Sequence, residues 1–116
     1  MSNESRNNSF DALSHLEMIL DCAPEVIYSK DLDGRYLFIN RRFENLSDLK
    51  RADVIGKTDR QLFPESVAEN STRNDQIVID TRKPLFIGEF GPVDGELRYF
   101  QSAKYPLFDD QGDLCG

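Results

Sequence analysis

The stretch Val26-Ile27-Tyr28-Ser29-Lys30, then Asp31-Leu32-Asp33-Gly34, then Arg35-Tyr36-Leu37-Phe38-Ile39 decides the fold. Its outer parts are rich in β-branched and aromatic residues, as strands are, and the four residues between them carry turn chemistry. The stretch therefore predicts a β-hairpin. Asn40 follows at once, and its side chain can accept a backbone N–H, so the second strand should run straight into a capped helix with Phe43 and Leu46 on one face. Toward the amino terminus, Phe10, Leu13, Leu16 and Leu20 recur at helical spacing, with Met18 and Ile19 widening the stripe. Ser9 is a candidate N-cap, which leaves 1–8 as a disordered leader and 9–23 as an amino-terminal helix ended by Pro24. Toward the carboxyl terminus, 47–63 reads as short helical turns broken at Gly56, with Asp59 as a further candidate cap. Pro64 opens a longer helix reaching Arg82, and Pro84 stops it. Strands over 85–90 and 96–107 are joined by a turn at Asp94-Gly95, and Asp109-Asp110-Gln111-Gly112 is a turn aimed at another strand. The result is an α+β layout, an antiparallel sheet with its helices grouped in mid-chain.

Composition narrows the function. The 116 residues hold 14 Lys and Arg against 21 Asp and Glu, a net charge of −7. An acidic surface repels phosphate backbones, which argues against direct nucleic-acid binding. No apolar run exceeds four residues, far short of the roughly 20 that cross a bilayer. Residues 1–8 lack the basic-then-apolar order of a secretory signal, and a cytoplasmic location is expected. Cys22 and Cys115 are far apart in sequence, with no second cysteine at metal-binding spacing, so reduced thiols are expected rather than a zinc site or a disulfide.

The residues that carry a family resemblance are Asp31-Leu32-Asp33-Gly34-Arg35-Tyr36 running into Ile39-Asn40 and Phe43, followed by Val54-Ile55-Gly56-Lys57-Thr58-Asp59 and Phe63-Pro64. Asp94-Gly95-Glu96, Lys104-Tyr105-Pro106-Leu107, Asp110 and Gly112 complete the set. In this order and spacing the chain resembles a PAS (Per-Arnt-Sim) domain of the bacterial sensory-box kind. Each piece alone is common, and the specificity lies in their succession. The resemblance implies a five-stranded antiparallel sheet whose mid-chain helices enclose a small pocket against one face. It also implies a regulatory input module for histidine kinases, diguanylate cyclases, chemoreceptors or transcription regulators. In the family the fifth strand lies between the first and the fourth. This sequence ends at Gly116, before that strand, so 24–116 is expected to be a PAS domain truncated ahead of its last strand, and the chain a piece of a longer one bearing the output domain.

Haem-binding relatives place an axial histidine on the long helix after Pro64, whereas the single histidine here is His15, on the amino-terminal helix. Flavin-linked relatives carry a cysteine in the segment corresponding to 56–63, and none is present there. Haem and a cysteine-linked flavin are thus disfavoured, and no other cofactor is indicated. There is no nucleophile and base at recognisable spacing, no phosphate-cradling glycine loop and no metal cluster, so no catalytic or metal-ligating residue is expected. Asp31 and Asp33, the one conceivable acid pair, are better explained as the turn before Gly34.

A small-molecule pocket remains. In the fourth strand, alternation sets Leu97, Tyr99, Gln101, Ala103 and Tyr105 against Arg98, Phe100, Ser102 and Lys104. Hydrophobicity alone buries the first set; the register implied by the resemblance turns the second set inward. Both can hold if the amino-terminal helix covers the outer face. With the family register, Phe43, Ile55, Phe86, Phe90, Phe100, Ser102 and Lys104 are the candidate pocket lining, although plain core packing is the more ordinary role for the aromatic residues among them. Lys104 would lay its stem along an apolar wall and bring its ammonium to an acidic ligand or a protein carboxylate, unless it reaches solvent at the strand end. Phe10, Leu13, Leu16 and Leu20 are the expected homodimer contact. The expectation is a sensory input domain that binds a small molecule or dimerises to regulate an output domain such as a histidine kinase or diguanylate cyclase. The competing reading is a ligand-free interaction and dimerisation module; an enzyme has no residues behind it.

Overall fold

A computed structural model describes the backbone of residues 2–116 and the side-chain surroundings from Asp11 onward. The order is α1 (Ser2–Cys22), β1 (Tyr28–Lys30), β2 (Tyr36–Ile39), α2 (Arg41–Ser47), α3 (Arg51–Val54), α4 (Asp59–Leu62), α5 (Glu65–Thr81), β3 (Leu85–Val93) and β4 (Glu96–Lys104). This is the expected α+β arrangement. Helix α1 ends at Cys22, as Pro24 requires, but begins at Ser2, so the leader expected over 1–8 is helical through Asn8. Neither proline nor glycine interrupts that stretch, and nothing local stops helix propagation.

The first hairpin forms as its turn chemistry dictates. Asp31 Oδ1 accepts from the backbone N–H groups of Asp33 and Arg35, each at 2.9 Å, and Gly34 takes the left-handed conformation with φ 80°. The second hairpin turns on Asp94 and Gly95, both with positive φ, at 51° and 80°, the two-residue connection that matches strand twist. Its ladder runs from Leu85 opposite Lys104 to Val93 opposite Glu96, nine residues on each side. Asp109 repeats the Asp31 device, its Oδ1 accepting from Gln111 and Asp113 before an isolated bridge between Phe108 and Leu114.

Two corrections concern the ends of elements. The fourth strand stops at Lys104 rather than 107, because Pro106 has no N–H for a ladder. Helix α4 is capped by Thr58 and not Asp59: the Gln61 side chain accepts from the Thr58 backbone N–H at 2.9 Å, which leaves the Asp59 side chain for another purpose.

The expected single sheet is, among the described residues, two separate ladders, β1 with β2 and β3 with β4. The open edges of β1 and β4 face one slot, where the resemblance puts the fifth strand. Tyr36, Ile39, Phe43 and Val54 are buried together, with Val26, Tyr28, Leu49, Leu62 and Phe63 packed around them. The rings of Tyr28, Tyr36 and Phe43 meet edge to face at 5.5–5.9 Å, the favoured aromatic geometry. Asn40, fully buried, ties this core to its surroundings. Its Oδ1 accepts from Ile27 and Phe43 N–H, and its Nδ2 donates to the carbonyls of Leu20 and Glu25.

Candidate functional site

Strand β4 follows the register implied by the resemblance. Phe100, Ser102 and Lys104 are turned inward, while Leu97, Tyr99, Gln101, Ala103 and Tyr105 are exposed; Arg98, near the turn, is also exposed. The ladder then sets the face of β3. Residues paired with the inward ones are Leu85, Ile87 and Glu89, so Phe86 and Phe90 point outward. Phe86 therefore falls outside the cavity, whereas Phe90, though half exposed, still borders it. Phe86 is 70% exposed and stacks on Tyr105, and Phe90 is 52% exposed and stacks on Tyr99. The strand is one position out of the expected phase because Glu89, a charged residue, occupies the inward row. Ile55 is also misplaced by the expectation; it is 40% exposed at the end of α3 and borders neither cavity.

A cavity of about 450 Å³ lies between α2, α5 and the inner face of β3 and β4. Phe43, Phe90, Phe100 and Ser102 border it. Tyr28, Tyr36, Phe63 and Val67 complete the apolar wall, and Asp59, Asn70, Ser71 and Glu89 supply polar groups. A second space of about 580 Å³ is the slot between β1 and β4, bordered by Lys104, Tyr105, Leu107 and Gly116. Side chains of α4 and α5, among them Asp59, Asp75, Val78 and Ile79, also line it.

Between the two spaces runs a buried chain of charges that no local pattern announces. Lys30 Nζ is 2.6 Å from both Asp59 and Asp75; Lys104 Nζ is 2.6 Å from Asp75, 3.0 Å from Glu89 and 3.2 Å from the Tyr28 hydroxyl. Tyr36 donates its hydroxyl to Asp59 at 2.5 Å, and Asn74 Nδ2 donates to Glu89 at 2.9 Å. The chain links β1, β2, α4, α5, β3 and β4. Lys104 does not reach solvent at the strand end, the more ordinary of its two readings; it meets two carboxylates, both belonging to the protein.

Burial alone would lower the Lys104 ammonium, but Tyr28, Asp75 and Glu89 outweigh it and hold the group well above the ordinary lysine range. Lys30 is raised in the same way against its burial, by Asp59 and Asp75. Burial pushes the Tyr36 phenol far up, and the adjacent Asp59 carboxylate adds to the shift. Tyr28 is raised by burial, which the two lysines only partly offset. Both lysines are therefore cations and both phenols neutral near pH 7.

The signal that could have found these groups is polarity on an inward row. Tyr28 and Lys30 alternate on β1, Glu89 interrupts the apolar row of β3, and Ser71, Asn74 and Asp75 share with Val67 and Val78 the buried face of α5. His15, Cys22 and Cys115 are exposed and are not part of the cavity lining. Among the described residues no group of three His, Cys, Asp or Glu could hold a metal ion.

Residues 20–116 match the family described as PAS fold, and the chain belongs to it. Among solved structures, it superposes with a TM-score of 0.74 on the PAS domain of a Colwellia psychrerythraea protein, at 19% identity and covering 91% of each chain. It matches the PAS domain of BvgS from Bordetella pertussis with a TM-score of 0.68 and 22% identity, over 90% of this chain and 80% of that one. In sequence it is 29% identical over 100 residues to the methanogenesis regulatory histidine kinase FilI of Methanothrix harundinacea, covering 84% of this chain and 11% of that protein. The chain spans about a tenth of the length of the curated relatives it matches. Among the described residues no helix is long and apolar enough to cross a membrane.

Proposed function

We propose that this PAS domain is a sensory input module whose cavity binds a small molecule and whose sheet passes the change to an output domain, such as a histidine kinase or a diguanylate cyclase, in the same longer protein. The observation that carries this reading is the 450 Å³ cavity bounded by α2, α5 and β3–β4, a size ordinary for small-molecule sites. Its far wall is the charge chain that joins six elements, so a ligand shifting one carboxylate alters contacts on β1 and β4 together. The likeness to a histidine kinase over part of its length supports a kinase-type output. No catalytic role is assigned to the domain itself. The test is extraction of metabolites from the chain purified under native conditions, followed by mass spectrometry. A stoichiometric small molecule is expected. Its absence, together with no thermal stabilisation by a metabolite library, would refute the ligand reading.

A second reading, an interaction and dimerisation module, is favoured by exposed apolar surface. Leu13, Leu16, Met18 and Ile19 of α1 are each more than half exposed; Phe10 lies outside the residues whose side chains are described. On the outer face of β3–β4, Phe86, Phe90, Leu97, Tyr99 and Tyr105 are exposed as well. Patches of this extent mark contact surfaces. Helix α1 does not cover the outer sheet face, and in this reading the homodimer forms through the Leu13, Leu16 and Leu20 stripe extended by Phe10.

A further inference from the structure

Building on the ligand reading above, we propose that the cavity selects a molecule with a protonated amine on an aromatic or apolar body, and that Glu89 is the carboxylate that receives the amine. A lysine ammonium has three donors and no more. Those of Lys30 are matched by Asp59, Asp75 and Ser71, at 2.6, 2.6 and 3.4 Å. Lys104 donates to Asp75 and the Tyr28 hydroxyl and pairs with Glu89 as an ion pair at 3.0 Å. An anionic ligand entering the cavity finds both buried lysines already paired with protein carboxylates.

The carboxylates are not equivalent. Asp59 takes Tyr36 on Oδ1 and Lys30 on Oδ2, and Asp75 takes Lys104 on Oδ1 and Lys30 on Oδ2, so both oxygens of each are used. Glu89 takes Asn74 and Lys104 on the same oxygen, Oε2; among the described residues Oε1 has no hydrogen-bond partner. Glu89 borders the cavity, and its side chain is 12% exposed. The chain holds two ammonium groups against three carboxylates, so one negative charge is uncompensated. Oε1 is not sealed from solvent, so a ligand's ammonium can take the place of water on it and pair with a carboxylate in a partly desolvated wall. The rings of Tyr28, Phe43 and Phe100 around the same space suit an apolar body and add attraction for a cation held over their faces. At the rim Glu25 and Arg42 are both exposed and opposite in charge, so they do not reverse the preference.

The test uses three probes of matched size at pH 7 and low salt, phenethylamine as cation, 2-phenylethanol as neutral analogue and 3-phenylpropionate as anion, each titrated into the chain by calorimetry. The amine is expected to bind at least about tenfold more tightly than the alcohol, and the acid more weakly than the alcohol, as charge complementarity at a desolvated site requires. Glu89→Gln, which keeps the side chain's volume, should bring the amine down to the alcohol's affinity while leaving the alcohol unchanged. The wild-type ranking decides the matter even if that variant is unstable. Equal affinities, or a preference for the acid, would overturn the amine assignment while leaving the ligand reading intact. Binding of none of the three at millimolar concentration would overturn it too, the ligand reading then resting on the metabolite extraction alone.

Discussion

Lys104→Met removes the ammonium that joins β4 to α5 and β3 while keeping most of the apolar stem. In the native structure that ammonium is 7% exposed and holds Asp75 at 2.6 Å and Glu89 at 3.0 Å. Deleting one partner of a buried ion pair leaves the other charge unsatisfied, at a cost of about 3–5 kcal/mol. Asp75 keeps Lys30 and is 24% exposed, so the lower end applies. A loss of about 3 kcal/mol in a domain of this size lowers Tm by about 12 °C or more. A lysine reaching solvent at a strand end would change stability by no more than about 0.5 kcal/mol. The assay is thermal and urea denaturation at pH 7, repeated at low and high salt, since a buried pair is screened far less than a surface one. Combining Lys104→Met with Glu89→Gln should restore part of the loss, because the second change removes a carboxylate the first one stranded. A fall in Tm of less than about 3 °C, or one that vanishes in high salt, would refute the reasoning that the network is a buried structural unit.

Other outcomes follow from the same contacts. Lys30, Lys104, Tyr28 and Tyr36 all keep their protons to higher pH folded than unfolded. Their contribution to stability is therefore complete below the ordinary tyrosine and lysine values of 10.0 and 10.5 and is lost as pH rises beyond them, when the unfolded chain releases protons first. A Tm profile that is flat from neutrality to about pH 9.5 and falls above pH 10, with Tyr36→Phe giving a shallower fall, is expected; a rise of Tm above pH 10 would contradict it. Asn40→Ala, which strands partners of four hydrogen bonds, should cost about 3 kcal/mol by urea denaturation, well beyond the roughly 1 kcal/mol of a helix cap alone. A loss confined to the cap value would mean water replaces the bonds. Leu13→Glu with Leu16→Glu should convert a dimer to a monomer in analytical sedimentation while leaving the cavity intact, and an unchanged mass would dismiss α1 as the contact.

What could be read from the sequence alone is what depends on near neighbours in the chain. The Asp31–Gly34 turn, the Asn40 cap onto Phe43, the stop of α1 before Pro24 and the Asp94–Gly95 hairpin rest on backbone preferences and side chains within four residues, so local chemistry suffices for them. The family, too, was visible in that succession of turns and caps. The inward face of β3 was not. Its two alternating rows, Leu85, Ile87, Glu89 and Phe86, Gly88, Phe90, give opposite answers to a rule that buries aromatics and exposes charges. The choice depends on the register of β4 and on cations from Lys104, which stands far along the chain. The charge chain is the extreme case: Lys30, Asp59, Asp75, Glu89 and Lys104 each look like solvated surface residues in their own surroundings. Only when six elements converge do the two ammonium groups meet carboxylates closely enough to be buried, because the attraction that offsets desolvation acts through space and has no signature in sequence spacing.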